Sequence, residues 1–431
     1  MKKRSATRAF KRTVRRSIFA LIYALPALIL SLTRYRFVVI TIPERIGHLA
    51  IELDWFLKQR ALGQFAAIKP IVLLPYSEAA NPALLRLWGN YLTLISNPIA
   101  TTVLKPLVYF ESLRIDLLSV ACTLDEAAQY QDVVKAWGDR PPLFKLPDSL
   151  NEKGRKALEE LGMPPGAWFV CIHARDGVYS PRDEHLHVYR NSDIAKCLAA
   201  VDEIIARGGW CVRMGERGTA SLPDRPGLIN YPDTHLKSDW MDLYLASQAR
   251  FFLGNTSGLC LIATISGVPC ALANMAPYGA CYGMGSKDIS IPKRLTRLNG
   301  SAPKFAEIFA SNVASFRFAE QYAEAGWGIE ENTEEQIRDL VLEMLDRLDG
   351  VFQETSDAER LQQAFRGLLT PRHYTYGAPS RIGEAFLSQH AAELGMPEAP
   401  RTIMSIGSPN REIETSNEMI ITASGKGIGS Q

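Results

Sequence analysis

The sequence lacks the short motifs that identify several common classes of enzyme. No GxGxxG follows an expected strand and no GxxxxGK[ST] occurs, so nicotinamide, flavin and P-loop nucleotide sites lack their fingerprints. No Asp-x-Asp occurs either, which removes support for a metal ion that bridges a diphosphate. A nucleophile elbow, GxSxG, would need serine at position 256, where Thr256 stands. These absences disfavour dehydrogenases, P-loop enzymes and α/β-hydrolases, and no cofactor is expected.

Cysteine pairs are also missing. The seven cysteines are scattered through apolar stretches and none forms a CxxC, so the spacing indicates neither a zinc site nor a redox motif. Free thiols buried in the core are typical of a protein in a reducing compartment.

Acidic residues are absent from the first 36 positions, which hold ten of the 48 lysines and arginines. This leaves 38 basic and 46 acidic residues, a formal charge of −8, for the rest of the chain. The basic charge therefore belongs to an N-terminal tail, and the mildly acidic body is not expected to bind nucleic acid.

An apolar segment lies inside this basic tail, at residues 17–32. A spanning helix needs about 20 apolar residues, and this segment is shorter, with Pro26 in its middle. No small-x-small cleavage site follows, so a cleaved signal peptide fits poorly. We expect residues 1–36 to lie as a hydrophobic anchor on the anionic, cytoplasmic face of the inner cell membrane. A single uncleaved spanning anchor is the alternative.

The remaining chain alternates strand and helix patterns, and its length favours two domains. We assign residues 37–150 to an N-terminal α/β domain and 151–350 to a second α/β domain. Residues 351–400 are expected to be a helical extension, and 401–431 a disordered tail. In the first domain, strands are predicted at 37–42 and 70–74, and helices from Ile46 and at 83–95. In the second, strands are predicted at 168–173, 210–215, 228–231, 250–254 and 269–273, and helices at 193–207, 239–249, 257–266 and 333–350.

Polar residues and glycines cluster where the strands of the second domain end. They are His173, Arg175, Asp176, Arg190, Asn191, Arg213, Gly215, Asp233, Asn255, Thr256, Ser257 and Gly258. The carboxyl ends of parallel strands share one edge of a sheet, so we expect these residues to line one crevice. Arginine suits a diphosphate because its planar fork makes two parallel charge-assisted hydrogen bonds. A helix beginning at Thr256 would add free N–H groups and its positive dipole end.

Each of these residues also has a structural alternative. Thr256 or Ser257 could act only as a helix cap, and His173 could be a hydrogen-bonded structural histidine. Arg175 with Asp176, or Arg213, could belong to a structural ion pair. In the first domain, Gly47, His48 and Glu52 follow the first strand and are candidates for the acceptor side, with a capping role as the alternative for His48.

The segments HARDGVY (173–179), YRN (189–191), RMG (213–215) and GNTSGL (254–259) together resemble an uncharacterised bacterial family classed with the glycosyltransferases. The resemblance covers roughly residues 40–350. More distantly, it is similar to the fucosyltransferase superfamily, which implies an α/β, GT-B-like fold of two doubly wound, Rossmann-like domains facing a cleft. That similarity implies that Arg175 contacts the donor diphosphate and that Thr256 and Ser257 form a second donor segment. Tyr179 is a further donor-side candidate, and Asp176 replaces the second arginine of the family's HxRR.

We therefore hypothesise a metal-independent transferase that moves a sugar from a nucleotide diphosphate to a glycan or lipid-linked acceptor in bacterial surface polysaccharide synthesis. Asp176 or His173 would accept the acceptor proton. Arg175, Arg213 and the 256–257 segment would stabilise the departing diphosphate. The alternatives are a non-catalytic nucleotide-binding or scaffold protein of a polysaccharide complex, and a nucleotide-sugar epimerase or hydrolase.

Overall fold

The computed structural model describes residues 22–117 and 128–396. The expectations for residues 1–16, Cys122 and the 401–431 tail lie outside them. The strands are β1 Tyr35–Val39, β2 Lys69–Leu73, β3 Thr93–Ile95, β4 Arg114–Asp116, β5 Phe169–Ile172, β6 Trp210–Arg213, β7 Leu228–Asn230, β8 Phe252–Gly254, β9 Cys270–Met275, β10 Ile289–Pro292, β11 Arg294–Arg297, β12 Trp327–Glu330 and β13 Arg381–Ile382. Beyond residue 45, the described α-helices are α1 Ile46–Ala61, α2 Pro82–Trp88, α3 Pro98–Leu104, α4 Ala128–Trp137, α5 Asp148–Glu160, α6 Glu184–His187, α7 Leu198–Ala206, α8 Asp239–Gln248, α9 Cys260–Ile265, α10 Phe305–Ala310, α11 Ala319–Glu324, α12 Glu334–Asp349, α13 Ser356–Arg366 and α14 Glu384–Gln389.

The first sheet has four parallel strands in the order β3-β2-β1-β4. The chain runs outward from β1 through β2 to β3 and then returns to the other side of β1, so the strand order reverses between β1 and β4. Helix α1 follows β1 and is held by Leu49, Leu53 and Phe56, which are fully buried at helical spacing. The first turn of α1 is thereby fixed at the carboxyl edge of the sheet.

The second sheet has seven strands in the order β13-β10-β9-β8-β5-β6-β7, and every pair is parallel. All four residues of β5 are buried, as expected for a strand covered on both faces. The strand order reverses between β5 and β8. The predicted doubly wound parallel sheet is confirmed, and β10 and β13 extend it by two strands that the sequence did not predict.

Two predicted helices are wrong in their bounds. The helix expected over 83–95 ends at Trp88, and Thr93–Ile95 instead pairs with β2 as strand β3. The helix expected over 257–266 begins only at Cys260 and has six residues, while 256–259 form bends. Thr256, Ser257 and Gly258 therefore do not begin a helix, and the helix-dipole argument does not apply to them.

The described part of the apolar segment 17–32 is helical over residues 22–31. Ala27 packs into a small cluster with Phe37 and Ile71 of the first sheet, so this face is covered. None of the described helices is both long enough and apolar enough to cross a membrane. The six cysteines in the described ranges are all free and buried, as the sequence predicted.

Candidate active site

A cavity of about 570 Å³ opens at the carboxyl ends of strands from both sheets. From the second sheet, His173 and Arg175 follow β5, Gly215 follows β6, and Ser257 follows β8. From the first sheet, residues 45–48 contribute the first turn of α1. In open α/β sheets ligands bind outside the carboxyl ends of the strands, where the strand order reverses. The β5–β8 reversal point lies in this cavity wall, so the position fits a ligand site.

The two halves of the cavity meet at a contact between two glycines. A Cβ on Gly258 would lie 2.8 Å from Ile46 Cγ2 and 3.0 Å from the Gly47 backbone nitrogen. A Cβ on Gly47 would lie 3.2 Å from the Gly258 Cα. No real side chain tolerates contacts this short, so only glycine permits the approach. It brings the first turn of α1 against the bends at 256–259 that follow β8.

Most of the donor-side residues predicted from the sequence do line the cavity. They are His173, Arg175, Asp176, Tyr179, Arg190, Gly215, Thr256, Ser257 and Gly258, with Gly47 and His48 from the first sheet. The remaining five, Asn191, Arg213, Asp233, Asn255 and Glu52, do not line it.

Asn255 supports the cavity wall from behind. Its Oδ1 accepts the Arg175 backbone N–H at 3.1 Å, and its Nδ2 donates to the Arg190 carbonyl at 3.0 Å and to Ser192. One buried amide thus joins the end of β8 to the loops that carry both arginines. Asn255 therefore positions the loops that carry Arg175 and Arg190 and does not line the cavity itself.

Arg175 lies in the wall with much of its guanidinium already engaged. Its Nη1 donates to Asn191 Oδ1 and lies 3.4 Å from Glu184 Oε2, and the Asn191 amide donates to the same carboxylate. The side chain is 13% exposed. Asn191 therefore orients Arg175, which is the residue that faces the cavity.

Arg190 is the cation best placed for an anion. Its Nε and Nη2 both donate to the Thr256 carbonyl, at 3.1 and 2.8 Å, and it forms no salt bridge with any residue of the described ranges. Burial lowers the pKa of Arg190, and the neighbouring charges of Arg175 and Arg45 lower it further. An arginine stays charged in a protein, so a desolvated guanidinium without a counter-ion favours binding an anion here.

Arg213 and Asp233 were predicted to contact the donor, but the structure places neither of them in the cavity wall. Arg213 is 1% exposed, and its guanidinium pairs with Asp233 Oδ2 at 2.9 Å and with Asn230 at 3.0 Å. Its Nη1 also donates to Thr219 at 2.6 Å. The alternative of a structural ion pair applies: the pair ties β6 and β7 together below the cavity.

His173 is a neutral imidazole in this environment. Desolvation lowers its pKa to about 4, since the backbone bond to the Met214 carbonyl only partly offsets the effect of burial. At neutral pH it is therefore a hydrogen-bonding side chain and a weak base. The structural alternative for His173 fits better than the catalytic one.

His48 is paired with a buried carboxylate. Its Nδ1 lies 2.7 Å from Glu52 Oε1, one turn along α1, and Glu52 Oε2 accepts the Thr41 backbone N–H at 2.8 Å. Glu52 is 0% exposed, whereas the His48 side chain is 18% exposed and lines the cavity. Glu52 therefore fixes the histidine from behind. The His48 ring contacts Glu52, and no side chain caps the first turn of α1, so the capping alternative for His48 does not hold.

Several cavity residues had no motif to reveal them in the sequence. They are Arg45, Glu216, Asp239, Asp242 and Arg317. Arg45 pairs with Asp183 at 2.5 Å, and Tyr179 donates to the Glu44 carbonyl at 3.2 Å. Both contacts join the loop after β5 to the first sheet, so this loop closes one side of the cavity. The signal for Arg45 in the sequence was the adjacent pair of charged residues, Glu44 and Arg45, just before α1.

The cavity wall contains both acidic and basic side chains. Asp242 lies in the wall with its carboxylate 2.5 Å from Lys237, and burial raises its pKa to about 6. In the described part of the chain, no group of three His, Cys, Asp or Glu side chains is arranged to hold a metal ion. The cationic groups of the wall are arginines, and the carboxylates offer acceptors for hydroxyl groups.

Comparison with known proteins gives a remote similarity to two glycosyltransferases. No family model and no curated protein matches the chain. Among solved structures, it is similar to a glycosyl transferase of family 9 from Veillonella parvula, at 10% identity over 56% of this chain and 81% of that one, with a TM-score of 0.31. It is also similar to the iron-containing dodecameric glycosyltransferase TibC from enterotoxigenic E. coli, at 11% identity over 56% and 58% of the two chains, with a TM-score of 0.31. At such scores the function has to be inferred from the cavity itself.

Proposed function

We propose that this protein is a glycosyltransferase, which moves a sugar from a nucleotide diphosphate donor to a hydroxyl of a glycan or lipid-linked acceptor, with arginines neutralising the diphosphate in place of a metal ion. The observation that carries the proposal is Arg190, a half-buried guanidinium without a salt bridge to any described residue, in a cavity where the strand order reverses. Its position suits a diphosphate better than a neutral ligand.

The donor would bind against the second sheet. Arg190 and Arg175 would contact the diphosphate oxygens, which carry most of the negative charge that develops as the bond to the sugar breaks. The buried Ser257 hydroxyl, 8% exposed, has no nitrogen or oxygen partner among the described residues and only the Cys260 thiol close by. It can therefore donate to the same group, because a buried hydroxyl without a strong partner gains most from a ligand.

The test is a binding and turnover series on the whole chain. Nucleoside diphosphates and nucleotide sugars are screened by thermal shift, since a ligand that binds only the folded state raises the melting temperature. Donors that bind are then incubated with membrane lipid extracts, and free nucleoside diphosphate and glycosylated product are both measured. Transfer to an acceptor supports the proposal. Donor binding without turnover would favour a scaffold, donor consumption without an acceptor an epimerase or hydrolase, and no binding at all would refute it.

We further propose that the protein lies on the cytoplasmic face of the inner cell membrane. The helical residues 22–31 expose one apolar face, and Tyr23 donates to the Val103 carbonyl at 2.7 Å, which places the exposed residues of α3 beside it. The exposed apolar residues of the two segments are Ile22, Leu25, Leu28, Ile29, Ile99 and Val103. In the sequence, this apolar helix follows a basic stretch, and that combination is typical of interfacial binding to anionic lipid.

Vesicle flotation tests the membrane proposal. Leu25→Asp with Leu28→Asp should release the protein from vesicles that contain anionic phosphatidylglycerol, because both side chains are about 60% exposed and two charges oppose insertion. Val351→Asp is the matched control, at an equally exposed apolar residue elsewhere. Equal flotation of the double variant and the wild type would contradict the proposal.

A further inference from the structure

The His48–Glu52 pair combines three properties that a proton-accepting group needs. The imidazole lies in the cavity wall, its Nδ1 contacts a carboxylate at 2.7 Å, and that carboxylate is fully buried. The contact between Gly47 and Gly258 does not require the His48–Glu52 pair, and neither do the arginines of the second sheet. The pair sits on α1, which follows the first sheet, whereas Arg175 and Arg190 come from loops of the second sheet.

Glu52 determines which nitrogen of His48 can accept a proton. A carboxylate accepts hydrogen bonds and does not donate them, and Oε2 already accepts the Thr41 N–H at 2.8 Å. An ionised Glu52 therefore holds the proton on Nδ1. The other nitrogen, Nε2, keeps its lone pair and has no hydrogen-bond partner among the described residues. A fixed tautomer of this kind is what an imidazole needs to act as a general base.

The other candidate bases in the cavity are less suited. Burial and the nearby charges of Arg175 and Arg213 lower the pKa of His173, and its Nδ1 faces the Met214 carbonyl at 3.4 Å. Asp176 accepts the Val178 backbone N–H at 3.0 Å, two residues along its own loop. His173 has no carboxylate partner among the described residues to stabilise the imidazolium formed on accepting a proton, and Asp176 has no buried partner to orient it. His48 has Glu52 for both purposes.

We propose that His48 is the catalytic base of this cavity and that Glu52 is its positioning residue; this inference rests on the proposed function. Nε2 of His48 removes the proton of the acceptor hydroxyl, whose oxygen forms a bond to the anomeric carbon. The bond from that carbon to the donor phosphate oxygen breaks, and its electron pair leaves with the nucleoside diphosphate. The imidazolium that results is stabilised by the Glu52 carboxylate at Nδ1. The wall next to His48 is thus the acceptor side.

Four full-length proteins test the assignment: wild type, His48→Ala, Glu52→Gln and His235→Gln. The last is the matched control, because His235 also pairs with a glutamate, Glu160, at 2.6 Å, but is exposed and outside the cavity. Thermal unfolding confirms that each variant is folded. Nucleoside diphosphate affinity, measured by calorimetry, should be the same in all four, since the dyad does not contact the diphosphate.

Transfer rates then separate catalysis from structure. His48→Ala should lower kcat by about 100- to 10,000-fold, the usual contribution of a general base, and added imidazole should restore part of the rate. Glu52→Gln should lower kcat less and shift the acidic limb of its pH profile, without changing KM for the donor. His235→Gln should behave as wild type.

Two failures are distinguishable. If the wild type neither binds a nucleotide nor transfers sugar, the proposed function is wrong and the dyad has no such role. If the wild type transfers sugar and His48→Ala does so at the same rate, or if imidazole restores nothing to a folded, donor-binding variant, the assignment of His48 alone is overturned.

Discussion

Replacing Arg190 should weaken the binding of a nucleoside diphosphate more than replacing any other charged side chain in the cavity. Nε and one Nη2 proton are used on the Thr256 carbonyl, which leaves Nη1 and the second Nη2 proton for a ligand. A hydrogen bond to a charged group contributes about 1.5–3 kcal/mol. At 1.4 kcal/mol for each factor of ten, Arg190→Gln should raise Kd by about 10- to 150-fold.

A control variant and a conservative variant test whether the effect is specific to the guanidinium of Arg190. Arg217 also donates to a backbone carbonyl, that of Thr234 at 2.9 Å, but it is exposed and outside the cavity, so Arg217→Gln should leave Kd unchanged. Arg190→Lys keeps the charge and loses the fork, so its loss should be smaller. Titration calorimetry at two salt concentrations measures all three variants. A nucleoside diphosphate that binds Arg190→Gln as tightly as wild type would refute the reasoning.

Three further predictions concern packing and protonation. Gly258→Ala should lower the melting temperature and abolish donor binding, because its Cβ would meet Ile46 at 2.8 Å. Gly367→Ala, at a helix end with φ −64°, is the control. Equal melting temperatures for Gly258→Ala and Gly367→Ala would contradict the prediction. Burial raises the pKa of Asp242 from 3.8 to about 6, so the native state holds an extra proton and the free energy of unfolding should fall as pH rises from about 4 to 6. Asp242→Asn should reduce that fall in urea unfolding at the two pH values, and an unchanged fall would exclude this cause. The imidazole of His173, whose pKa burial lowers to about 4, should not titrate between pH 5 and 8 by NMR, and a midpoint near 6.5 would show that it is solvated.

The parallel sheet and its polar edge could be predicted because both follow from local pattern. A buried apolar run such as Phe169–Ile172 followed by His173 and Arg175 indicates where a strand ends, and the carboxyl ends of parallel strands meet at one edge. The start of α1 at Ile46 was predicted for the same reason, from the spacing of Leu49, Leu53 and Phe56.

What could not be predicted depends on contacts between distant parts of the chain. The helix expected from residue 257 is delayed to Cys260: Arg190 holds the Thr256 carbonyl, and Gly258 lies against Gly47. The sequence pattern of Arg213 is equally compatible with a ligand contact and an internal ion pair, and only the approach of Asp233 distinguishes them. Helical spacing brings His48 and Glu52 together, but it does not reveal that Glu52 is buried and His48 is not.

The cavity wall carries both arginines and carboxylates, and this combination favours a particular kind of ligand. Arg175, Arg190 and Arg45 lie close enough for their charges to disfavour one another, as the lowered pKa of Arg190 reflects, so an anion that contacts this side relieves repulsion as well as desolvation. A phosphate alone would do this, but the same wall carries Asp176 and Asp242, which repel a bare anion and accept hydrogen bonds from hydroxyls. A ligand with a diphosphate at one end and sugar hydroxyls at the other would contact both the arginines and the carboxylates. Inorganic phosphate would contact only the arginines, and an uncharged glycan only the carboxylates. A nucleotide sugar should therefore bind more tightly than either the diphosphate or the free sugar.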